Sequence, residues 1–363
     1  MKSGRIRSLA ALAIAAAIAA APCVAQQPVR VCAGGDIAMG TNLDTRWAQG
    51  RLDGGVPVRA IPDPAVVGAP LGSLFERAAL ALVNVEGAIG SGAAPRKCAR
   101  NSTLCYAIRQ PPGTELALRG IAPAPAIVVG NVANNHAHDV GDAGFAETNR
   151  RLAAAGVIVT GADTLATAVF VADGDTIGVL GFSPWSIASP LDLDAVRRHV
   201  TRAADRYHRV IVTMHIGAEG AAARHTRAVS ETFAGERRGN SIAFARAASD
   251  AGASLVIGHG PHVLRGIEWV GRTLVAHSLG NLLTYGPFNL KEYNGRAAVL
   301  CATLGADGGI FDAKLRPTKQ VPPGIVSADP DGLALADLKE LTTADFPRSG
   351  AIIGADGSIS RRP

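Results

Sequence analysis

The sequence contains no Cys-x-x-Cys pair, which argues against a cysteine-rich zinc knuckle. It has no Gly-x-Ser-x-Gly, the strained turn that exposes the nucleophile of many serine hydrolases. Nor does it have Gly-x-x-x-x-Gly-Lys-Ser/Thr, which argues against a P-loop for nucleotide phosphates. No Lys/Arg block or aromatic ladder points to a nucleic acid. The apolar run at Ser8–Ala21 is too short for a comfortable membrane span of about 20 residues. No internal repeat or clear linker divides the chain.

What the chain does have begins at its first residues. Lys2, Arg5 and Arg7 precede the Leu/Ala/Ile run, and small residues follow at Cys23 and Ala25. A basic flank, a short apolar core and a small-residue exit read as a secretory signal peptide over 1–25, cut after Ala25. This predicts a periplasmic or secreted protein, with an uncleaved N-terminal anchor as the alternative. Pro22 just before Cys23 argues against a lipoprotein. Removing 25 of the 363 residues leaves about 338, enough for one large domain over 26–328 and a C-terminal extension over 329–363. The net charge drops from +6 to about +3, because the discarded segment carries three basic residues and no acid. The pI of 9.3 is therefore a weak argument for an anionic partner. Cys32, Cys98, Cys105 and Cys301 remain, and an oxidising compartment permits disulfides. Cys98 and Cys105 flank a short polar loop and are the easiest pair to close. A Cys32–Cys301 pair needs two distant strands to meet.

Short β-branched runs alternate with Ala-rich helical stretches. Strands are expected at Val29–Ala33, Leu82–Val85, Ala126–Val129, Val157–Thr160, Thr176–Phe182, Val210–Met214 and Ser254–Ile257. Helices are expected at Ser73–Ala81, Ala143–Ala155, Leu193–Asp205, Ser241–Asp250 and Leu333–Leu341. Hairpins at Asp173–Asp175 and Gly271-Arg272 add antiparallel strands. The alternation predicts an α/β fold with mixed sheets. After about Asp329 the Gly/Ser-containing tail is expected to be loosely held.

Five polar clusters each follow an apolar strand. They are Gly34–Asp36, Asn84–Gly87, Asn134–His136 with Asp139, His215–Glu219 and Gly258–His262. Ligands bind at the carboxyl ends of strands in open α/β sheets, so distant clusters placed there converge. Carboxylates, an amide oxygen and neutral imidazoles are ligand types for manganese, iron or zinc. Two such cations sharing a carboxylate clamp a phosphoryl group and activate a water.

The six motifs Gly35-Asp36, Asn84-Val85-Glu86-Gly87, Ala133-Asn134-Asn135-His136 with Asp139, His215 to Glu219, Gly258 to Val263, and Ser278 to Asn281 occur in one order between Val29 and Tyr285. In that order they resemble the CapA family of capsule and poly-γ-glutamate synthesis proteins. That family resembles the calcineurin-like metallophosphoesterases, which implies a four-layer α/β/β/α sandwich of two mixed sheets. The resemblance implies metal ligands at Asp36, Glu86, Asn135, His215 and His262, with Glu86 a bridge. It implies His136 as proton donor to the leaving oxygen. Asp139 and Glu219 stand behind these as hydrogen-bond partners. It implies two divalent transition-metal ions, or one.

Three departures bear on that set. Ala38 stands where an Asp-x-His motif places a histidine. Gly260 stands where Gly-x-His-Pro-His places its first histidine, with His259 before it. Adjacent residues in an extended segment point opposite ways, so a ligand at 259 does not simply replace one at 260. Ile216 replaces a tryptophan in the cleft wall. Arg237, Arg238 and Arg265, with Asn281, are expected to contact an anionic envelope polymer or phosphoester substrate. Three readings follow: a phosphoester hydrolase, a non-catalytic binding component of the envelope polymer-synthesis machinery, and a metal-dependent amide hydrolase acting on poly-γ-glutamate.

Overall fold

The computed structural model describes residues 27–41, 43, 52–53, 56–57, 62–91, 97, 105–171, 175–187, 189–286 and 288–363. The chain lays down β1 (Val29–Ala38), β2 (Leu80–Val85), β3 (Ile127–Asn131) and β4 (Val157–Thr160), then changes sheet. The second sheet takes β5 (Thr167–Phe170), β6 (Thr176–Phe182), β7 (Arg209–His215), β8 (Leu255–His259), β9 (Leu264–Val270) and β10 (Thr273–Leu279). The chain then returns to the first sheet with β11 (Asn281–Thr284), β12 (Arg296–Leu304), β13 (Ile310–Val321) and β14 (Ile325–Ala328).

The first sheet runs β14-β13-β12-β1-β2-β3-β4, with β11 also paired to β1. Its β1 to β4 half is parallel. Its β12 to β14 half is antiparallel. The second sheet runs β9-β10-β8-β7-β6-β5, parallel in the middle and antiparallel at both edges.

Strand alternation assigns the layers. Val31, Ala33, Leu80 and Leu82 share one cluster with Ile177, Val179, Ile211 and Leu255, so the sheets pack face to face. The intervening Cys32, Ala81 and Val83 point outward onto Leu118 of α1 (Thr114–Arg119) and Leu152 of α2 (Gly141–Ala154). Val210, Val212 and Val256 point onto Val196 and Val200 of α3 (Leu193–Ala204) and Phe244 and Ala248 of α4 (Ser241–Asp250). The result is the expected α/β/β/α sandwich. Asp192 caps α3 through the Asp194 and Ala195 amides, and Asn240 caps α4 through Ala243.

Two expectations change, and one pairing left open is settled. The helix expected over Ser73–Ala81 is a 3-10 turn at Ala69–Leu74, where Pro70 and Gly72 oppose a longer helix, and β2 starts at Leu80. The tail is not loose. Helix α5 (Leu333–Asp345) buries Ala334, Leu338 and Leu341 in the core between the sheets, and Ile359 joins them. The Trp269 amide donates to Ser349, so the tail also covers the β9 edge. Finally, Cys32 and Cys301 face each other across β1 and β12 and form a disulfide. Cys105 is also disulfide-bonded. Its expected partner Cys98 lies outside the described residues, as do the segment 1–25 and residues 92–96 and 98–104 of the Gly87–Pro112 loop.

Candidate metal centre

Register builds the first wall of the site. Asn281, Asp36, Asn84 and Asn131 are direct neighbours on β11, β1, β2 and β3. Residues paired across strands share a face, so four polar side chains form one row at the carboxyl end of the sheet. Gly35 allows this close approach, because a Cβ there would lie 1.9 Å from the Gly280 oxygen. The Asp36 amide donates to that oxygen at 3.0 Å.

Asn84 is the hub of the row. Its Nδ2 donates to Asp36 Oδ1 at 2.8 Å and also to Glu86 Oε2. Its Oδ1 accepts from Asn131 at 2.9 Å and Asn134 at 3.2 Å. Asn84 and Asn131 were not singled out as site residues by sequence. Their signal is the polar residue closing each apolar strand, but its meaning depends on register.

The second wall comes from β7 and β8. His215 and His259 are paired in register, so both rings face the same side. This answers the question that alternation raised about His259. Its Nδ1 reaches 3.5 Å from Asp36 Oδ1. Gly260 turns away with φ 104°, and a Cβ there would stand 3.0 Å from the Ile216 nitrogen and 3.1 Å from His215 Cδ2. At that positive φ any side chain at 260 is strained, and its Cβ would crowd β7, so the backbone as folded disfavours a histidine there. His262 follows in a left-handed conformation (φ 58°) that brings its Nδ1 to 2.9 Å from Asp36 Oδ2 and 3.0 Å from Asn281 Oδ1.

Glu86, His215 and His262 each offer a ligand atom, and these atoms lie within 4.8 Å of one another. Glu86 Oε1, His215 Nε2, His259 Nε2 and Asn135 Oδ1 are buried with no hydrogen-bond partner in the protein. Buried polar atoms are ordinarily paired, so a set of unspent ligand atoms around one carboxylate row fits a cation. The electrostatics agree. Burial and the Asp36 charge push the Glu86 carboxyl up to about 8. Burial would raise Asp36 too, but His262 and the other histidines hold it well below the usual carboxylate range. Burial opposes a charged His262, yet Asp36, Glu219 and Glu86 outweigh it and raise this imidazole to about 10. Burial pushes His259 down to about 4 and His215 well below its ordinary value.

His136 sits beside this centre. Its Nδ1 is 2.7 Å from Asp139 Oδ2, and its Nε2 is 3.9 Å from Glu86 Oε1. Asp139 also accepts from the Ile108 amide at 2.7 Å and from Lys97. Asp139 therefore orients His136, and Lys97 joins the group from the same loop as Ile108, with residues 92–96 and 98–104 outside the described residues.

The basic candidates separate. Arg265 is fully buried, with both terminal nitrogens on Glu231 at 2.8 and 2.7 Å and a bond to the Ala218 carbonyl. This corrects its expected contact with substrate, since its fork is spent on the fold. Arg237 and Arg238 alternate on a short strand, Arg237 exposed and Arg238 buried. Arg238 pairs with Glu219 at 2.7 Å and Glu236 at 3.2 Å, and lies 4.5 Å over the Trp185 ring. Trp185, in a turn after β6, lines a cavity of about 600 Å³ with Lys97, Asn135 and Asp139. Sequence reading passed over it; the Ser183-Pro184-Trp185 turn after an apolar strand was the available signal. Glu219 stands 3.9 Å from His262 Nε2.

The model of the family described as bacterial capsule synthesis protein PGA_cap matches residues 30–285. The chain belongs to this family. The PGA_cap match covers every strand end that builds the site. Over 171 residues the chain is 30% identical to the PGA biosynthesis protein CapA of Bacillus subtilis (strain 168). That stretch is 42% of this chain and 41% of the relative, so the match spans less than half the relative's length. Among solved structures, the chain is similar to a 5'-nucleotidase precursor from Thermus thermophilus, with 13% identity and a TM-score of 0.39. That alignment covers 88% of this chain and 59% of the nucleotidase. It is also similar to the NAD nucleotidase of Haemophilus influenzae, at 11% identity and TM-score 0.38, over 86% and 56% of the two chains.

Proposed function

We propose that this PGA_cap protein is an exported, metal-dependent phosphoester hydrolase serving the synthesis of capsule or poly-γ-glutamate, an anionic envelope polymer. The observation that carries the reading is the cluster of buried, unspent ligand atoms: Glu86 Oε1, His215 Nε2 and His259 Nε2 beside the Asp36–Asn84 row. Asp36, Glu86, Asn135, His215, His259 and His262 would hold one or two divalent cations of manganese, iron or zinc. When bound, such a cation supplies Lewis acidity and a more acidic water.

The chain's own residues do the rest. Asp139 accepts from His136 Nδ1, which turns Nε2 to the Glu86 side; in the imidazolium, whose second proton sits on Nε2, that atom is the donor. A water oxygen bonds to phosphorus and the bond to the leaving oxygen breaks. The leaving oxygen takes the proton of His136 Nε2. One water proton returns to His136 and the other stays on the phosphate product. Asn84 keeps Asp36 and Glu86 at fixed separation throughout. The Cys32–Cys301 disulfide supports export, since such bonds persist in oxidising compartments. No helix among the described residues is long and apolar enough to cross a membrane.

Ala38 and the crowded Gly260 favour a second reading, in which the cleft binds polymer for the synthesis machinery without hydrolysis. The test is a screen of manganese- or zinc-loaded protein against aryl phosphoesters and poly-γ-glutamate. Phosphoester turnover that His136→Ala removes supports the first reading. Turnover absent across metals supports the second, and cleavage of poly-γ-glutamate alone identifies an amide hydrolase.

A further inference from the structure

We infer that the leaving-group side of this site is built for a hydroxyl-rich sugar, so that the substrate class is a sugar phosphoester rather than a γ-glutamyl chain. The inference rests on the phosphoesterase reading and deepens it.

A cavity of about 600 Å³ lies beside this centre, lined by Asn135, by the Asp139 that stands behind His136, and by Trp185, whose ring is 6.3 Å from that of His215. Its volume is that of a small-molecule site, roughly 300–1,000 Å³. Its wall is Trp185, and its rim carries His138, Asp142 and Glu236. Arg238 lies 4.5 Å over the indole and 5.4 Å from the Phe233 ring, which holds the tryptophan in place. A fixed indole with a carboxylate rim suits a sugar. The electron-rich ring face attracts the polarised C–H face of a pyranose, and carboxylates accept from its hydroxyls.

Charge argues against a polyanion. Lys97 is engaged by Asp139, and Arg238 by Glu219 and Glu236. No uncompensated cation faces the cavity among the described residues. Asp142 is 99% exposed and Glu236 49%. A γ-glutamyl chain carries a carboxylate on every residue and would bring like charge against Asp142, whose described contact is the His138 ring at 3.0 Å. A sugar brings none.

The test is calorimetry on manganese-loaded full-length protein. The probes are inorganic phosphate, glucose 6-phosphate, adenosine 5'-phosphate, a γ-glutamyl pentapeptide and maltotriose. Glucose 6-phosphate is expected to bind about tenfold tighter than inorganic phosphate, the scale of one aromatic contact. Trp185→Ala is expected to erase that preference, read as the ratio of the two affinities within the same protein. Trp185→Phe keeps an aromatic wall and is expected to retain part of it, which separates a lost contact from a misfolded loop. Tighter binding of adenosine 5'-phosphate or the pentapeptide overturns the inference, and so does a sugar preference that survives Trp185→Ala. If inorganic phosphate does not bind, the phosphoesterase reading fails by itself. Maltotriose then decides the sugar inference: binding lost in Trp185→Ala supports it, and no binding overturns it.

Discussion

Two buried clusters in this molecule use the same chemistry to different ends. One is the site row of Asp36, Asn84, Glu86, His215 and His259. The other is Glu268 and His277 on β9 and β10, with Ser241 and Ser349. In the second cluster every group is spent. His277 Nε2 meets Glu268 Oε1 at 3.1 Å, His277 Nδ1 meets Ser241 Oγ at 3.2 Å, and Ser349 donates to Glu268 Oε2 at 2.5 Å. Phe346 stacks on the imidazole at 4.8 Å. In the first cluster, buried imidazole and carboxylate atoms are left over. A buried polar atom left unpaired costs about 1–3 kcal/mol. The satisfied cluster is therefore a structural lock between α4, β9, β10 and the tail. The unsatisfied one is a place where something else must complete the bonding.

Variants can break this contrast. The largest effect is expected from His136→Ala, which should lower kcat toward an aryl phosphoester by about 10²–10⁴-fold. Metal content should stay unchanged, because His136 approaches the centre only at 3.9 Å, while Tm should fall modestly as Asp139 loses its Nδ1 partner. Steady-state kinetics beside metal analysis checks this, and an unchanged kcat removes His136 from the mechanism. Next comes His215→Gln, which preserves most of the side-chain volume. Metal affinity should fall by more than the ~10–100-fold typical of losing a group behind a ligand. The metal-free Tm should move little, since His215 Nε2 has no protein partner and Nδ1 makes only long contacts to Asn84 at 3.5 Å and Glu86 at 3.6 Å. A large Tm loss in the metal-free protein would make His215 structural and erase the difference between the clusters.

Much of this was legible in the sequence, for identifiable reasons. Val157–Thr160, Thr176–Phe182 and Ser241–Asp250 have the bounds that β-branched runs and an Asn cap specify. The full length of strand β13 is not legible, because its polar alternation through Lys319 resembles loop sequence. Asp36, Glu86 and His215 announce themselves as polar residues ending apolar strands. The role of Asn84 as the hub, the part played by Asn131 and the orientation of His259 are not legible in the same way, because strand register is a property of pairing and not of one segment. Arg265 misleads for a related reason. Its sequence neighbours line the site, yet its own side chain turns into the fold toward Glu231, whose position in the chain gives no hint of the pairing.

The satisfied cluster yields the two smaller predictions. Glu268→Ala strands His277 Nε2 and the Ser349 hydroxyl, at about 1–3 kcal/mol for each group left unpaired. Denaturant unfolding should show that loss, while metal affinity and kcat remain those of the wild type.

The smallest effect is in pH. Burial alone would raise the Glu268 carboxyl, but the His277 and Ser349 hydrogen bonds and Arg246 leave it below its ordinary value of 4.5. Burial and Arg265 pull His277 below its ordinary 6.5, against Glu268 and Asp345. Both groups therefore have folded-state values below their unfolded ones. Their stabilising contributions are present in full above pH 6.5 for His277 and above 4.5 for Glu268, and are lost as pH falls through the lower folded values. Tm should decline between about pH 6.5 and 4.5. Replacing the pair by His277→Phe with Glu268→Leu should flatten that decline, because no group remains there to take up a proton. A slope that is the same in the double variant would place the acid sensitivity elsewhere, in the unsatisfied cluster that the first two variants address.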